Sequence, residues 1–197
     1  MRVSAWHAAA ALAALLGIVG PVVRAQSPTP SLSRHRSPSP SDNPELARMF
    51  QEDQDDRKPG PHGIDWAVVK PRDDARLART HELYASGALR TGADWFHAAM
   101  ILQHSSEADD YLLSHEMCVA ALVQGEKEAR WLAAASEDRF LRKIGRNQRF
   151  ATQYEPAEPG KFRLAPTDPQ VTDGLRAAIG TPSLAEAKAT ESRFDKK

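Results

Sequence analysis

Cysteine is almost missing from this chain. Among 197 residues there is one, Cys118, so no intrachain disulfide can form. Stability must come from an apolar core, which a folded part of roughly 150 residues is long enough to build. Cys118 continues the apolar run in "YLLSHEMCVAALV", where it reads as a small buried hydrophobe and not as a thiolate nucleophile. Several catalytic patterns are missing too. There is no G-x-S-x-G, no S-x-x-K and no glycine-rich loop to cradle phosphate. "HELYA" and "HEMCV" begin like a zinc-protease helix, but the second histidine at i+4 is replaced by Ala85 and Val119. His97 and His104 share a helix face, yet two turns separate them by about 10.5 Å. No metal and no cofactor is expected. Strand-like alternation is not sustained anywhere, and there is no internal repeat.

An excess of charge is missing as well. Lysine and arginine total 26, as do aspartate and glutamate. Residues 1–25 hold Arg2 and Arg24 and no acidic residue, so the chain beyond them carries 24 basic against 26 acidic residues. A net charge near −2 supplies no bulk attraction for nucleic acid or anionic lipid.

What is present begins with a compartment signal. "MRVSAWHAAAALAALLGIVGPVVRAQ" has a basic start, an apolar stretch over residues 8–19, and small residues Val23 and Ala25 before Gln26. This is the pattern of a secretory signal peptide cut after Ala25. The apolar stretch is shorter than the ~20 residues of a membrane span. The expectation is an exported protein, periplasmic or extracellular, with no membrane segment after cleavage. Residues 26–42, "QSPTPSLSRHRSPSPSD", have almost nothing to bury and read as a flexible tether.

From Asn43 onward the periodicity is helical, and residues 43–190 are expected to form one mainly α domain of five to seven helices. Asn43 and Pro44 are a cap and a first-turn residue. A second helix is expected over residues 72–86. A third, apolar nearly all round and so central, follows a Thr91-x-x-Asp94 capping box. A second box, Ser106-x-x-Asp109, predicts a helix over 107–124, and another follows over 127–144. After Gly145, short strands near 149–154 and 161–164 are placed to pair as a hairpin. Two more helices are expected to start at Asp168-Pro169 and Thr181-Pro182. Residues 191–197 read as a frayed tail.

Polar residues interrupt the apolar stripes. Asp53 and Arg57 continue the face of Leu46, Met49 and Phe50; Asp138 sits in the stripe of Trp131, Ala134, Ala135 and Leu141; His104 follows His97 and Ile101. A buried charge must be paired or hydrogen-bonded, so several helices with such groups point to a shared polar site. The simplest pairing is a hydrogen bond from His104 to Asp138, with Arg57 or Arg139 close by.

The segments "LARMFQEDQDDR", "ILQHSSEADD", "AASEDRFLRKIGRNQRFATQ" and "APTDPQVTDGLRAAIGTPSLAEA" carry a resemblance in order and spacing. The stretch from Pro44 to Ala187 resembles the uncharacterised bacterial family called domain of unknown function 6624. The resemblance implies a mostly helical domain and no established activity. Its polar pairs fall on Asp53, Gln54 and Arg57, on Gln103 and His104, on Asp138 and Arg139, and on Gln148, Thr152 and Gln153. The family's Tyr-Gly is Phe150-Ala151 here, which argues against a phenol role and against a left-handed backbone at that position.

The expected function is binding of a small polar or peptide-like ligand, in a cleft lined by Arg57, His104, Asp138, Arg139, Gln148 and Gln153. Two alternatives stand beside it. One is a hydrolase with His104 as general base, oriented by Asp138, with Arg57 or Arg139 stabilising an anion. The other is a structural or protein-interaction domain whose polar cluster only holds helices together.

Overall fold

A computed structural model describes residues 40–60, 63–159 and 161–194. Residues 1–25, expected to be a signal peptide, and residues 26–39 of the expected tether lie outside these; residues 40–42 are exposed and without regular structure. The described chain is mainly helical with one small antiparallel sheet. Its elements are α1 (Pro44–Asp56), α2 (Trp66–Ala85), α3 (Gly92–Leu102), α4 (Ala108–Val123), α5 (Ala129–Lys143), β1 (Tyr154–Pro156), β2 (Phe162–Leu164), α6 (Asp173–Ile179) and α7 (Leu184–Phe194). No helix among the described residues is long and apolar enough to cross a membrane.

α3 is the central element and packs against α1, α2, α4 and α5. Its Ala98, Ala99, Ile101 and Leu102 are sealed, as are Leu46 of α1, Met117, Cys118 and Ala121 of α4, and Leu132 of α5. The many alanines let backbones approach closely, and the larger side chains fill the gaps between them. Burial pushes the Cys118 thiol up to about 12, so it stays protonated and unreactive at neutral pH. Asp94 does more than close its capping box. Buried at the start of α3, it accepts the backbone N–H groups of Asn43 (2.7 Å), Arg90 (2.9 Å) and Thr91 (3.1 Å). The N-termini of α1 and α3 are thereby tied to one carboxylate.

Several boundaries differ from the expectation, each for a local reason. α2 begins six residues early, because Asp65 caps it by accepting from Ala67 N–H; Pro71 lies inside the helix and not at its start. At the next corner Ser106 forms no capping box. Glu107 is the cap position and makes no side-chain capping bond; its carboxylate accepts from the Ser106 hydroxyl instead. The neighbouring Ser105 hydroxyl accepts from Glu107 N–H and donates to Asp110. Asp168-Pro169 opens a turn, with Gln170 N–H bonded to the Asp168 carboxylate; the helix waits for the cap at Thr172. α7 starts after Ser183, whose hydroxyl and N–H are exchanged with Glu186, and it runs to Phe194 through part of the expected tail.

The hairpin forms, in the register Tyr154↔Leu164, Glu155↔Arg163 and Pro156↔Phe162. Its first strand starts later than expected because residues 148–153 are committed to other partners.

Candidate functional site

The residues singled out in the sequence do not form one cleft. They divide into a clamp, a staple and an open pocket.

The clamp joins α1 to α2 and to the end of α3. Asp53 is fully buried. Its carboxylate takes Arg57 Nη1 at 2.7 Å and Gln54 Nε2 at 2.8 Å. Arg57 also reaches Asp73 of α2, at 2.9 Å through Nη2 and 3.3 Å through Nη1. Arg76, one turn further along α2, binds Asp73 at 2.7 Å and Asp56 at 2.9 Å. Arg72 closes on the other Asp56 oxygen at 2.6 Å. Three carboxylates therefore meet three guanidiniums, and their charges cancel. Burial raises the pKa of Asp73 and of Asp56, but their arginine partners together outweigh it and hold both carboxyls below the ordinary value. Beside this network a cleft of about 510 Å³ is lined by Glu52, Asp55, Asp56, Arg72, Ala75 and Arg76.

His104 faces the clamp and not Asp138. Its Nε2 stands 3.4 Å from Asp53 Oδ2, without the alignment of a hydrogen bond, and it is buried without a hydrogen-bonding partner. Gln103 turns away, its amide donating to the sulfur of Met100 at 3.3 Å.

The staple accounts for Asp138. Buried in α5, its carboxylate accepts from Arg149 N–H (2.6 Å), Phe150 N–H (3.0 Å), Thr152 N–H (3.1 Å) and the Thr152 hydroxyl (2.7 Å). The expected bond to His104 is thus replaced by a loop wrapped on the carboxylate. Gln148, also buried, donates to the Gln153 and Ala165 carbonyls and accepts from Gln153 N–H. Wrapping the loop this tightly needs a left-handed residue, and Ala151 supplies it at φ 59°, although it is not glycine. Asp138, Gln148 and Thr152 are spent on holding the loop.

Arg139 and Gln153 are the ones left facing open space. With Tyr111, Arg142 and Lys143 they line a cleft of about 290 Å³ between α4, the end of α5 and the start of the hairpin. Arg139 makes one long hydrogen bond, to the Ala135 carbonyl at 3.4 Å, and no carboxylate among the described residues pairs with it. Burial pushes its pKa down, with Tyr111 and Asp138 opposing. The Tyr111 hydroxyl donates to the Ser105 carbonyl at 2.5 Å, so the pocket and the clamp share the corner between α3 and α4.

Among the described residues no group of three His, Cys, Asp or Glu is placed to share a metal ion. Asp73, Arg76, Tyr111, Arg142 and Lys143 were not anticipated. For the first two a signal existed: Val69, Asp73, Arg76, Thr80 and Leu83 form one buried stripe of α2, broken by charge just as α1 is. No family model matches the chain, and no significant match is found among curated proteins or solved structures.

Proposed function

We propose that this is an exported helical domain that binds a small polar ligand in the cleft lined by Tyr111, Arg139, Arg142, Lys143 and Gln153. One observation carries the reading. A guanidinium has five N–H donors, and Arg139 spends one of them, on a long bond to a carbonyl. A cation partly removed from water without a counter-charge is costly, and a ligand bringing hydrogen-bond acceptors would lower that cost. The cleft lies at the small end of ligand-pocket sizes, which favours a compact ligand over an extended peptide. The resemblance adds weight, because Arg139 and Gln153 fall on its polar pairs.

A thermal-shift screen of small polar compounds tests this. The expected result is at least one saturable rise in melting temperature that the Arg139→Met variant loses. Rises that persist unchanged in that variant would place the ligand elsewhere and overturn the proposal.

A hydrolytic reading keeps one supporting observation. Asp53, standing 3.4 Å from His104, could orient the imidazole in the role expected of Asp138. Against it, the facing nitrogen is sealed and Asp53 is already engaged by Arg57 and Gln54. His104→Ala separates the two. As part of the clamp it costs about 1 kcal/mol of stability, mostly lost packing, and leaves ligand response intact. Loss of a hydrolytic activity at unchanged stability would favour the enzyme.

A further inference from the structure

The Arg139 cleft has more positive charge than the protein neutralises. Arg139 and Lys143 lie four residues apart on α5, on one helix face. Neither has a carboxylate partner among the described residues, and Lys143 has no hydrogen bond among them either. Arg142 does have a partner, Glu155 at 2.8 Å, but Glu155 also binds Arg163 at 2.8 Å. The nearest other carboxylate in the same helix, Asp138, is filled by the loop it holds. Cations in the last turn of a helix complement its dipole, and that accounts for Lys143, which is exposed. It does not account for Arg139, one turn deeper and half-buried.

The remaining lining adds no free donor. The Gln153 amide nitrogen faces the Thr152 hydroxyl and the Ala135 carbonyl, at 3.0 and 3.4 Å. The Tyr111 proton is already given to Ser105, so its oxygen is left to accept. Two cations without an ion-pair partner among the described residues, one of them a planar fork suited to paired oxygens, stand over a cleft that holds only a compact group.

Resting on the reading of this cleft as the binding site, we infer that its ligand is a small oxyanion of charge near −2, such as a phosphate monoester or a short dicarboxylate. A phosphate monoester brings about −1.5 to −2 charges and three acceptor oxygens at neutral pH. A monocarboxylate would leave one of the two cations unmatched.

Isothermal titration calorimetry on the whole chain tests this, at constant ionic strength and pH 7.5. The probes are inorganic phosphate, glycerol phosphate, succinate, acetate, and the neutral compounds glucose and N-acetylglycinamide. Saturable binding of phosphate and glycerol phosphate is expected, or of succinate, with acetate and the neutral probes weaker. The pattern between the phosphates and succinate tells which oxyanion is the source. Arg139→Met and Lys143→Gln should each weaken the dianion by about tenfold or more, the worth of a charge-assisted bond. Circular dichroism melts of both variants show that they are folded. Dianion binding that survives both substitutions, or no dianion binding at all, overturns the inference. Binding of a neutral probe that Arg139→Met abolishes overturns the charge class while leaving the cleft as the site.

Discussion

The clamp around Asp53 and the pocket around Arg139 are built from the same kinds of residue and have opposite outcomes. In the clamp every arginine finds a carboxylate and every carboxylate finds an arginine, across two facing helices. In the pocket the carboxylates close in sequence are taken, Asp138 by backbone N–H groups and the Thr152 hydroxyl and Glu137 by Arg149, and Arg139 is left over. A balanced cluster fastens helices, and an unbalanced one keeps donors for something else. Polar interruption of an apolar stripe marks both kinds and does not tell them apart.

The largest expected effect tests whether Asp138 is a fastener. Asp138→Ala strands three backbone N–H groups and a hydroxyl inside the protein. At 1–3 kcal/mol per unsatisfied group, softened by water entering the loop, a loss of about 3–5 kcal/mol is expected. A chemical-denaturation series would show it, and a loss below about 1 kcal/mol would mean that the loop does not depend on this carboxylate.

Next comes the contrast between the two arginines. Arg57→Met leaves Asp53 and Asp73 short of a partner and should cost about 3 kcal/mol, the usual result of breaking one side of a buried ionic network. Arg139→Met removes a cation that has no partner to strand, and should be neutral or slightly stabilising, within about 1 kcal/mol. Equal losses in the two variants would dissolve the distinction between clamp and pocket.

Acid should act on the clamp. Asp56 and Asp73 have folded-state pKa values below their ordinary value of 3.8. Their unfolded state therefore binds protons more readily, and their contribution is fully present above about pH 5. It is lost as pH falls below 3.8 and through the folded values. Melting temperature measured from pH 6 to pH 2 should drop in that acid range, and the drop should be shallower in Arg57→Met, where the clamp is already broken.

The smallest effect concerns Ala151. Glycine would relieve a left-handed conformation worth roughly 1 kcal/mol, but it removes a buried methyl worth about 0.8 kcal/mol. Ala151→Gly should leave stability within about 0.5 kcal/mol of the parent. A much larger gain would show that the loop stores strain its staple has to overcome.

Much of the fold was legible because its signals are local. Asn43, Thr91 and Asp94 cap their helices as their positions in the chain predict, and the near-uniform apolarity of α3 marked it as central. Boundaries failed where two capping residues competed within a few positions. Ser105 displaced Ser106 and Thr172 displaced Asp168, while Asp65 started α2 ahead of the expected Arg72. Such a choice depends on which hydroxyl or carboxylate is free to turn inward, and that is settled by neighbours distant in sequence.

The polar residues divide along the same line. Their burial was readable, because a charged side chain at a position repeating every three or four residues with leucine and methionine must leave water when the helix packs. Asp53 and Asp138 are both fully buried. Their partners were not readable. Asp138 has His104 as one conceivable partner and a loop 11 to 14 residues ahead of it as another, and periodicity carries no information on which arrives. Helix packing brought Asp73 and Arg76 to the Asp53–Arg57 pair across 16 to 23 residues of chain, while the turn at Ala151 closed the loop onto Asp138. Sequence alone determined which residues had to be buried or capped, since those are costs each segment carries by itself. Only the tertiary structure decided which charges cancel and which remain, because neutralisation is a property of pairs brought together in space.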